Sequence, residues 1–242
     1  MFEVKRDYPT ALAADPKQPN LALRTAFQWV VAKQREVGGS ILLYAPGKQN
    51  IDGNNLLAEF CRRAGVQVAT WRTGAWAWDG GPVLAAWPSR NKLAEIADHH
   101  GVRALCVVPW ADGEVDAWAT AANPELLLGA EEPAVRAVTD PVVVEGLKSL
   151  TLMVNHSNHL ASALDRRDAV AVLTTLHLGG HRLDADAIYA WSLANGWPGQ
   201  GAERLREMAE KISSGVRMRT GTRESPLRSD VLNQWREKAS AK

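Results

Sequence analysis

The sequence predicts an α/β fold: an N-terminal, mainly parallel sheet with flanking helices, followed by a small all-α helical domain and a basic tail. In the first half, short apolar runs alternate with helical patterns, which is typical of βαβ units. In the second half, the apolar residues keep helical spacing, and the last segment is rich in Lys and Arg. We place a Rossmann-like α/β domain at 1–128, a helical bundle domain at 134–214 and the basic C-terminal tail at 215–242.

Each element of the first half follows from a local pattern. The helix that begins at Asn20 ends at Gly38-Gly39, and the apolar run Ser40–Ala45 ends at Pro46-Gly47, as a strand before a turn does. The remaining predicted elements are a helix at 54–64, strands at 66–71 and 82–87, a helix at 90–100 and a strand at 102–110. The stretch Thr73–Gly81 is too short for a crossover helix, so it forms either a hairpin or an aromatic loop.

The second half has the spacing of four helices. Apolar residues recur at helical intervals over 141–160, and further helices are predicted at 168–178, 185–194 and 202–212. The segment Val216–Asp230 has little apolar periodicity and is expected to be disordered alone, whereas 231–238 has the pattern of a short helix.

Composition excludes several classes of protein. The 242 residues carry 28 basic and 27 acidic side chains, so the formal net charge is +1. A charge this close to zero argues against a protein whose surface is adapted to bind nucleic acid or an anionic membrane. The longest apolar runs are far shorter than the roughly 20 residues of a membrane span. Charges stand where a signal peptide needs its apolar region, and two cysteines are too few for a disulfide framework. We therefore expect a cytoplasmic globular protein that does not contact membranes.

Polar residues follow the predicted strands, and ligands of open parallel sheets bind beyond the carboxyl ends of strands. Cations at these positions, next to the N–H groups of helix starts, would favour an anion. The expected ligand is a nucleotide or another anionic small molecule. The predicted ligand-binding residues of this anion crevice are Lys48, Asn50, Arg72, Ser89, Arg90 and Asp112.

Motifs of common enzyme classes are missing from the sequence. Gly47-Lys48 lacks the flanking Gly and Ser/Thr of a P-loop, and Gly199-Gln200-Gly201 follows a helix, not a strand. There is no Gly-x-Ser-x-Gly elbow. We therefore predict a non-catalytic binding protein, and neither a cofactor nor catalytic residues are indicated. The alternative is an enzyme that acts on a phosphorylated or nucleotide substrate, with Asp52 or Asp112 as the base.

A second predicted contact involves the helical domain and the tail. Residues 203–242 contain 10 Lys/Arg and 6 Asp/Glu, and arginines spaced along a flexible tail suit nucleic-acid phosphates or an acidic protein partner. The predicted contact residues are Arg204, Arg217, Arg219, Arg223 and Arg228.

The histidines and tryptophans allow weaker interpretations. The pairs His156/His159 and His177/His181 have metal-ligand spacing, but they lack the Glu of a His-Glu-x-x-His motif, and no metal site is predicted. Ten tryptophans are unusually many. Those in predicted strands and helices, Trp87 and Trp110 among them, are expected to be core. An exposed Trp76 or Trp78 would instead indicate an assembly protein that joins a larger complex.

Overall fold

The computed structural model describes residues 8–15, 17–75, 77–127, 130–133, 138–218 and 225–241. These residues divide into two compact units, one within 5–134 and the other within 135–242. In the described parts of the chain, the first unit contains all six strands and five helices, and the second contains five helices. The predicted fold class is confirmed, because a parallel sheet with flanking helices precedes a helical region.

The first unit alternates strands and helices. The strands are β1 (Thr10–Leu12), β2 (Ile41–Ala45), β3 (Val66–Thr70), β4 (Gly81–Ala86), β5 (Val102–Val108) and β6 (Glu125–Leu126). The helices are α1 (Pro19–Val37), α2 (Lys48–Asp52), α3 (Asn55–Cys61), α4 (Arg90–Ala97) and α5 (Asp116–Ala122). The sequence did not predict β1 and β6, which are very short.

All neighbouring strands are parallel, in the order β3-β2-β4-β5-β1-β6. Every residue of β2 and β4 is buried. A continuous apolar run of this kind is expected for strands covered by helices on both faces. The first strand of the chain lies between β5 and β6, where Ala11 pairs with Cys106 and with Glu125.

One face of the sheet packs against α1 and α3. Alternate residues of four strands, such as Leu43 and Leu84, join Leu23, Val30 and Phe60 in one buried cluster. The ring of Phe60 stacks on Phe27 of α1, with 4.2 Å between the ring centroids. The opposite face of the sheet is covered in part by α4, which contacts β5 and buries its apolar side.

The amino-terminal ends of β2 and β4 approach each other through glycines. Ser40 donates its backbone N–H to the carbonyl of Gly80 at 3.1 Å. Gly39 has a φ of 82°, and a Cβ there would lie 2.1 Å from the Gly80 oxygen. Trp78 is buried beside them and donates its indole N–H to the Ser40 carbonyl at 2.9 Å. Trp78 therefore has a packing role, and Trp76 lies outside the described residues.

The second unit is helical. Its helices are α6 (Pro141–Met153), α7 (Ala163–Leu178), α8 (Ala185–Ala194), α9 (Gly199–Ser213) and α10 (Val231–Ser240), with a 3₁₀ turn at His156–Asn158. Asp140, Ser162 and Asp184 precede three of them, and each side chain accepts a backbone N–H of the first turn. Such caps satisfy donors that have no partner inside the helix.

The α6 helix is shorter than the sequence predicted, because it ends at Met153 rather than near 160. The chain then turns around the buried carboxylate of Asp165, which accepts the backbone N–H of Asn155 at 3.2 Å and the side-chain amide of Asn158. These side-chain acceptors compete with helical hydrogen bonds and end the helix.

The C-terminal helix α10 packs on α6. Trp235 is 1% exposed and donates its indole N–H to the Ser149 hydroxyl at 2.9 Å, while Arg236 donates to the Gly179 carbonyl at 3.1 Å. The sequence left open a disordered tail or a short terminal helix. In the structure, residues 231–240 form a helix that is part of the second unit.

None of the helices in the described ranges combines the length and the hydropathy that crossing a membrane requires.

Candidate functional site

A cavity of about 620 Å³ lies at the carboxyl ends of the strands in the α/β unit. The segments after β1, β2, β4 and β5 line it, together with the first turn of α1. This volume is in the range of small-molecule sites, about 300–1,000 Å³. The cavity is therefore the candidate site of this unit.

Sheet topology explains why a crevice forms there. The chain runs from β1 back across β5 and β4 to reach β2, whereas it runs from β5 in the opposite direction, past β1, to reach β6. Crossovers between parallel strands are right-handed, so these two connections leave the neighbouring strands β1 and β5 toward opposite faces. Loops that part in this way open a crevice at the strand ends, which is where ligands of such sheets bind.

Two tryptophans stand at this crevice. Trp87 follows β4 and Trp110 follows β5, and their rings meet edge to face, with 5.3 Å between centroids and an interplanar angle of 85°. Trp110 is 69% exposed, and Trp87 is half-buried. The sequence predicted both as core residues, and the exposure of Trp110 shows that this prediction was wrong for it. The pair forms an aromatic surface that a flat ligand ring can contact.

The backbone of Trp87 is in the left-handed region, with a φ of 56°. Its N–H donates to the Val108 carbonyl at 2.7 Å, which fixes the chain in this turn. For a bulky residue this conformation costs about 1–2 kcal/mol, and such strain is concentrated at ligand sites. The strained position lies at the cavity wall.

Polar side chains surround the rest of the cavity, and several are held by short-range hydrogen bonds. One carboxylate oxygen of Asp15 accepts the backbone N–H groups two and three residues ahead, both at 3.0 Å. The amide oxygen of Asn54 accepts the corresponding groups at the start of α3, at 3.0 and 3.1 Å, so its NH₂ group remains available to donate. The polar lining consists of Asp15, Asn20, Gln49, Asn50, Asn54 and Asp112.

The loop after β5 is also fixed by a carboxylate. Glu114 accepts the backbone N–H of Trp110 at 3.0 Å and that of Ala111 at 3.4 Å. Arg90 donates its Nε–H to the Glu114 carbonyl at 3.3 Å. These bonds position Trp110 and Asp112 at the cavity wall.

The described lining of the cavity carries negative charge. Among the described lining residues, the charged side chains are the carboxylates of Asp15 and Asp112, with no Lys or Arg. Carboxylates and amides accept hydrogen bonds from hydroxyl and amino groups. A lining of this kind favours a neutral or cationic polar molecule over an anion.

The structure brings two of the six predicted crevice residues into this cavity, Asn50 and Asp112. Lys48 is exposed at the start of α2, next to the lining residue Gln49, but is not itself part of the lining. Asp52, the alternative base, is exposed at the end of the same helix.

The other three predicted residues lie elsewhere in the unit. Ser89 precedes α4, where its carbonyl accepts the Leu93 N–H at 2.8 Å, and Arg90 is engaged with the loop after β5. Arg72 is exposed in the turn after β3, at the edge of the sheet, and the two strands β2 and β4 lie between β3 and β5. The sequence could not place Arg72, because its distance from the cavity depends on strand order.

The predicted contact residues of the helical unit are separated in a similar way. Arg204 donates to the His159 carbonyl at 2.7 Å, and Arg228 is exposed and pairs with Asp230 at 3.1 Å. Arg217 lines a different cavity, within the helical unit. The remaining two predicted residues lie outside the described residues, Arg219 and Arg223.

The histidine pairs do not come together as a metal site. Across the described ranges, no three His, Cys, Asp or Glu side chains are placed to hold a metal ion. His156 contacts the Thr151 carbonyl at 3.0 Å and meets the ring of Trp197 edge to face. His181 bonds through Nδ1 to Asp140 at 2.8 Å. Burial raises the pKa of Asp140, but the hydrogen bonds from His181 and from two backbone N–H groups outweigh it, so this pKa lies below its ordinary value.

Comparison with known proteins gives one finding. Residues 139–236 match a family described as a domain of unknown function, DUF1889. The match covers most of the helical unit and less than half of the chain. No curated protein and no solved structure matches the chain.

Proposed function

We propose that the protein is a non-catalytic binding protein that takes a nucleoside-like molecule in the strand-end cavity. The observation that carries this proposal is the combination of the tryptophan pair with an acidic and amide-rich lining. A flat base can stack on the exposed ring of Trp110, and base–aromatic stacking contributes about 1–3 kcal/mol per base. Carboxylates such as Asp15 and Asp112 accept hydrogen bonds from ribose hydroxyls.

The charge of the site favours a nucleoside over a nucleotide bound through its phosphate. A phosphate would be expected to meet Arg or Lys side chains, and none is present in the described lining. Lys48 is exposed and adjacent in sequence to the lining residue Gln49, but it lies outside the lining, so a 5′-phosphate would extend out of the cavity without contributing most of the affinity.

The proposed location is the cytoplasm, where nucleosides and nucleotides occur. The two cysteines, Cys61 and Cys106, are both free thiols, which supports a reducing compartment.

A nucleic-acid contact by the helical unit has less support. Arg204 and Arg228 are engaged with groups of the chain itself, and Arg206 pairs with Glu203 at 2.7 Å and with Glu210 at 3.0 Å. An arginine that already has a carboxylate partner gains less from a phosphate.

Isothermal titration calorimetry of the full chain tests the proposal. The four common ribonucleosides, their 5′-monophosphates, free ribose and glucose are the ligands to compare. We expect at least one nucleoside to bind, and its monophosphate to bind with similar affinity. Binding of ribose or glucose with no nucleoside binding would refute the proposal, as would no binding by any of these compounds.

Variants locate the site. Trp110→Ala removes the exposed ring and should weaken binding about 10-fold or more, and Asp112→Asn should also weaken it because the carboxylate becomes a neutral amide. Asp79→Asn is the matched control, since Asp79 is an exposed carboxylate near the opposite ends of the strands. Equal affinities for the Asp112→Asn and Asp79→Asn variants would show that the ligand binds elsewhere.

A further inference from the structure

A second cavity, of about 550 Å³, lies within the helical unit. It is lined by α7, by the end of α9 and by the segment that follows α9, with Ser225 and Pro226 on its far side. Its volume is again in the range of small-molecule sites. It belongs to the part of the chain that matches the domain of unknown function.

The turn at the end of α9 creates one wall of this cavity. Gly215 has a φ of 82°, and a Cβ there would meet no atom within 4 Å. Its N–H bonds to the Ile212 carbonyl at 3.0 Å, and the Val216 N–H bonds to the Lys211 carbonyl at 2.9 Å. This hydrogen-bond pattern is that of a Schellman motif, which fixes the direction of the outgoing chain. Residues 216–218 therefore line the cavity together with α7 rather than extending α9.

The walls are largely apolar. Val170, Ala171 and Ile212 are buried at its base. At the rim, Leu178 is 80% exposed and Val216 is 52% exposed. Large apolar side chains that remain in water beside a cavity indicate a surface that gains free energy when an apolar group covers it.

The described lining of this cavity has one formally charged side chain, and it is positive. Arg217 is the one Arg, Lys, Asp or Glu in the described lining, and no hydrogen bond or ion pair to another described residue engages it. The hydroxyls of Thr174, Thr175 and Ser225 and the ring of His177 complete the polar part. A guanidinium binds carboxylate or phosphate oxygens through two parallel hydrogen bonds, and a hydroxyl can donate a further one.

We propose that this cavity binds an amphiphilic anion, a small molecule with a carboxylate head at Arg217 and an apolar chain along Val170 and Ile212. The apolar walls select the chain, and the single cation selects the sign of the head group. The proposal is independent of the nucleoside site, because it uses residues of the helical unit alone.

Titration calorimetry of the full chain with octanoate tests the chemical class. The matched ligands are acetate, which has the head without the chain, octanol, which has the chain without the charge, and octylammonium, which reverses the charge. We expect octanoate to bind more tightly than each of the other three. The proposal is overturned if octanol or octylammonium binds as tightly as octanoate. It is also overturned if octanoate gives no binding at about 10 mM, where even a millimolar complex would form.

Two variants locate the site. Arg217→Gln removes the charge from an exposed side chain and should weaken octanoate binding about 10-fold, since a hydrogen bond to a charged group contributes about 1.5 kcal/mol or more. Arg228→Gln is the matched control, because Arg228 is an exposed arginine of the same unit outside the cavity lining. We expect the control to retain its affinity for octanoate. Equal affinities of the two variants would overturn the assignment to this cavity.

Ala171→Phe fills the cavity from its base and should abolish the binding of both octanoate and octanol. Its fold is checked by circular dichroism, and the Arg217→Gln result decides the question if this variant does not fold.

Discussion

Replacing Gly39 by Ala tests the close approach of β2 and β4 at their amino-terminal ends. The matched variant is Gly196→Ala, because both glycines have a φ of 82°. They differ in the space around a side chain. A Cβ at position 39 would lie 2.1 Å from the Gly80 oxygen, whereas a Cβ at position 196 would meet nothing within 4 Å.

The two substitutions separate backbone strain from steric overlap. An alanine in the left-handed region costs about 1–2 kcal/mol, and part of this is offset because alanine lowers the entropy of the unfolded chain by about 0.4–1 kcal/mol. Gly196→Ala should therefore lower the free energy of unfolding by about 1 kcal/mol. Gly39→Ala must also move the Gly80 carbonyl away, which adds overpacking of about 1–3 kcal/mol and loss of the Ser40 N–H bond, about 1 kcal/mol. We expect a total near 3–5 kcal/mol for Gly39→Ala.

Hydrogen exchange read by mass spectrometry during a urea titration is the suitable assay. Peptides from 40–45 report on the α/β unit, and peptides from 185–194 report on the helical unit. In Gly39→Ala we expect a much lower urea midpoint for the peptides from 40–45. In Gly196→Ala we expect a small decrease in the urea midpoint of the peptides from 185–194. Equal costs of the two substitutions would refute the close contact between Gly39 and Gly80.

Three further predictions concern single side chains. Trp235→Ala should destabilise the helical unit by about 3–5 kcal/mol because a buried indole is lost, and calorimetry that shows an unchanged transition would contradict the packing of α10 on α6. The pKa of Asp140 is lowered in the folded state, so its carboxylate stabilises the helical unit at neutral pH, and this contribution is lost as the pH falls below about 4. Asp140→Asn keeps an acceptor for the helix cap, but the variant should be about 1 kcal/mol less stable than the parent at pH 7. It should also lose less stability in acid. Parallel curves of stability against pH for the variant and the parent would count against the His181 contact. Burial raises the pKa of the Cys106 thiol, so a thiol reagent at pH 8 should modify Cys61 before Cys106 in the native chain and both in urea; equal native rates would argue against a buried Cys106.

The elements that the sequence predicted are those with strong local signals. The strand β5 is an apolar run that only Arg103 interrupts, and α9 has a regular apolar stripe, so both could be located without knowledge of their neighbours. The strand β1 has three residues, and it is a strand because β5 and β6 supply its hydrogen-bond partners. A pattern of three residues cannot carry that information.

The residues of the candidate site divide in the same way, into those that chain order locates and those whose position depends on the fold. Asn50 and Asp112 could be chosen because each follows a strand closely, and chain order alone gives that position. The role of Trp110 depends on the path of the loop held by Glu114, so its apolar ring was interpreted as core. A tryptophan beside a proline just after a buried strand, as in Trp87-Pro88 and Pro109-Trp110, is the signal that could have identified the pair.

The position of β1 in the sheet has a consequence for how the chain folds during synthesis. Among the described residues its partners are β5 and β6, the last two of the six strands to leave the ribosome. Until Val102–Val108 has emerged, β1 has no described strand to pair with, and the edge of β4 that pairs with β5 is open as well. Pairing over so long a stretch of chain is slow, and an unpaired apolar edge is prone to aggregate. A chain truncated before β5 should therefore be insoluble, even though it contains the whole of α1, β2, α3 and β4.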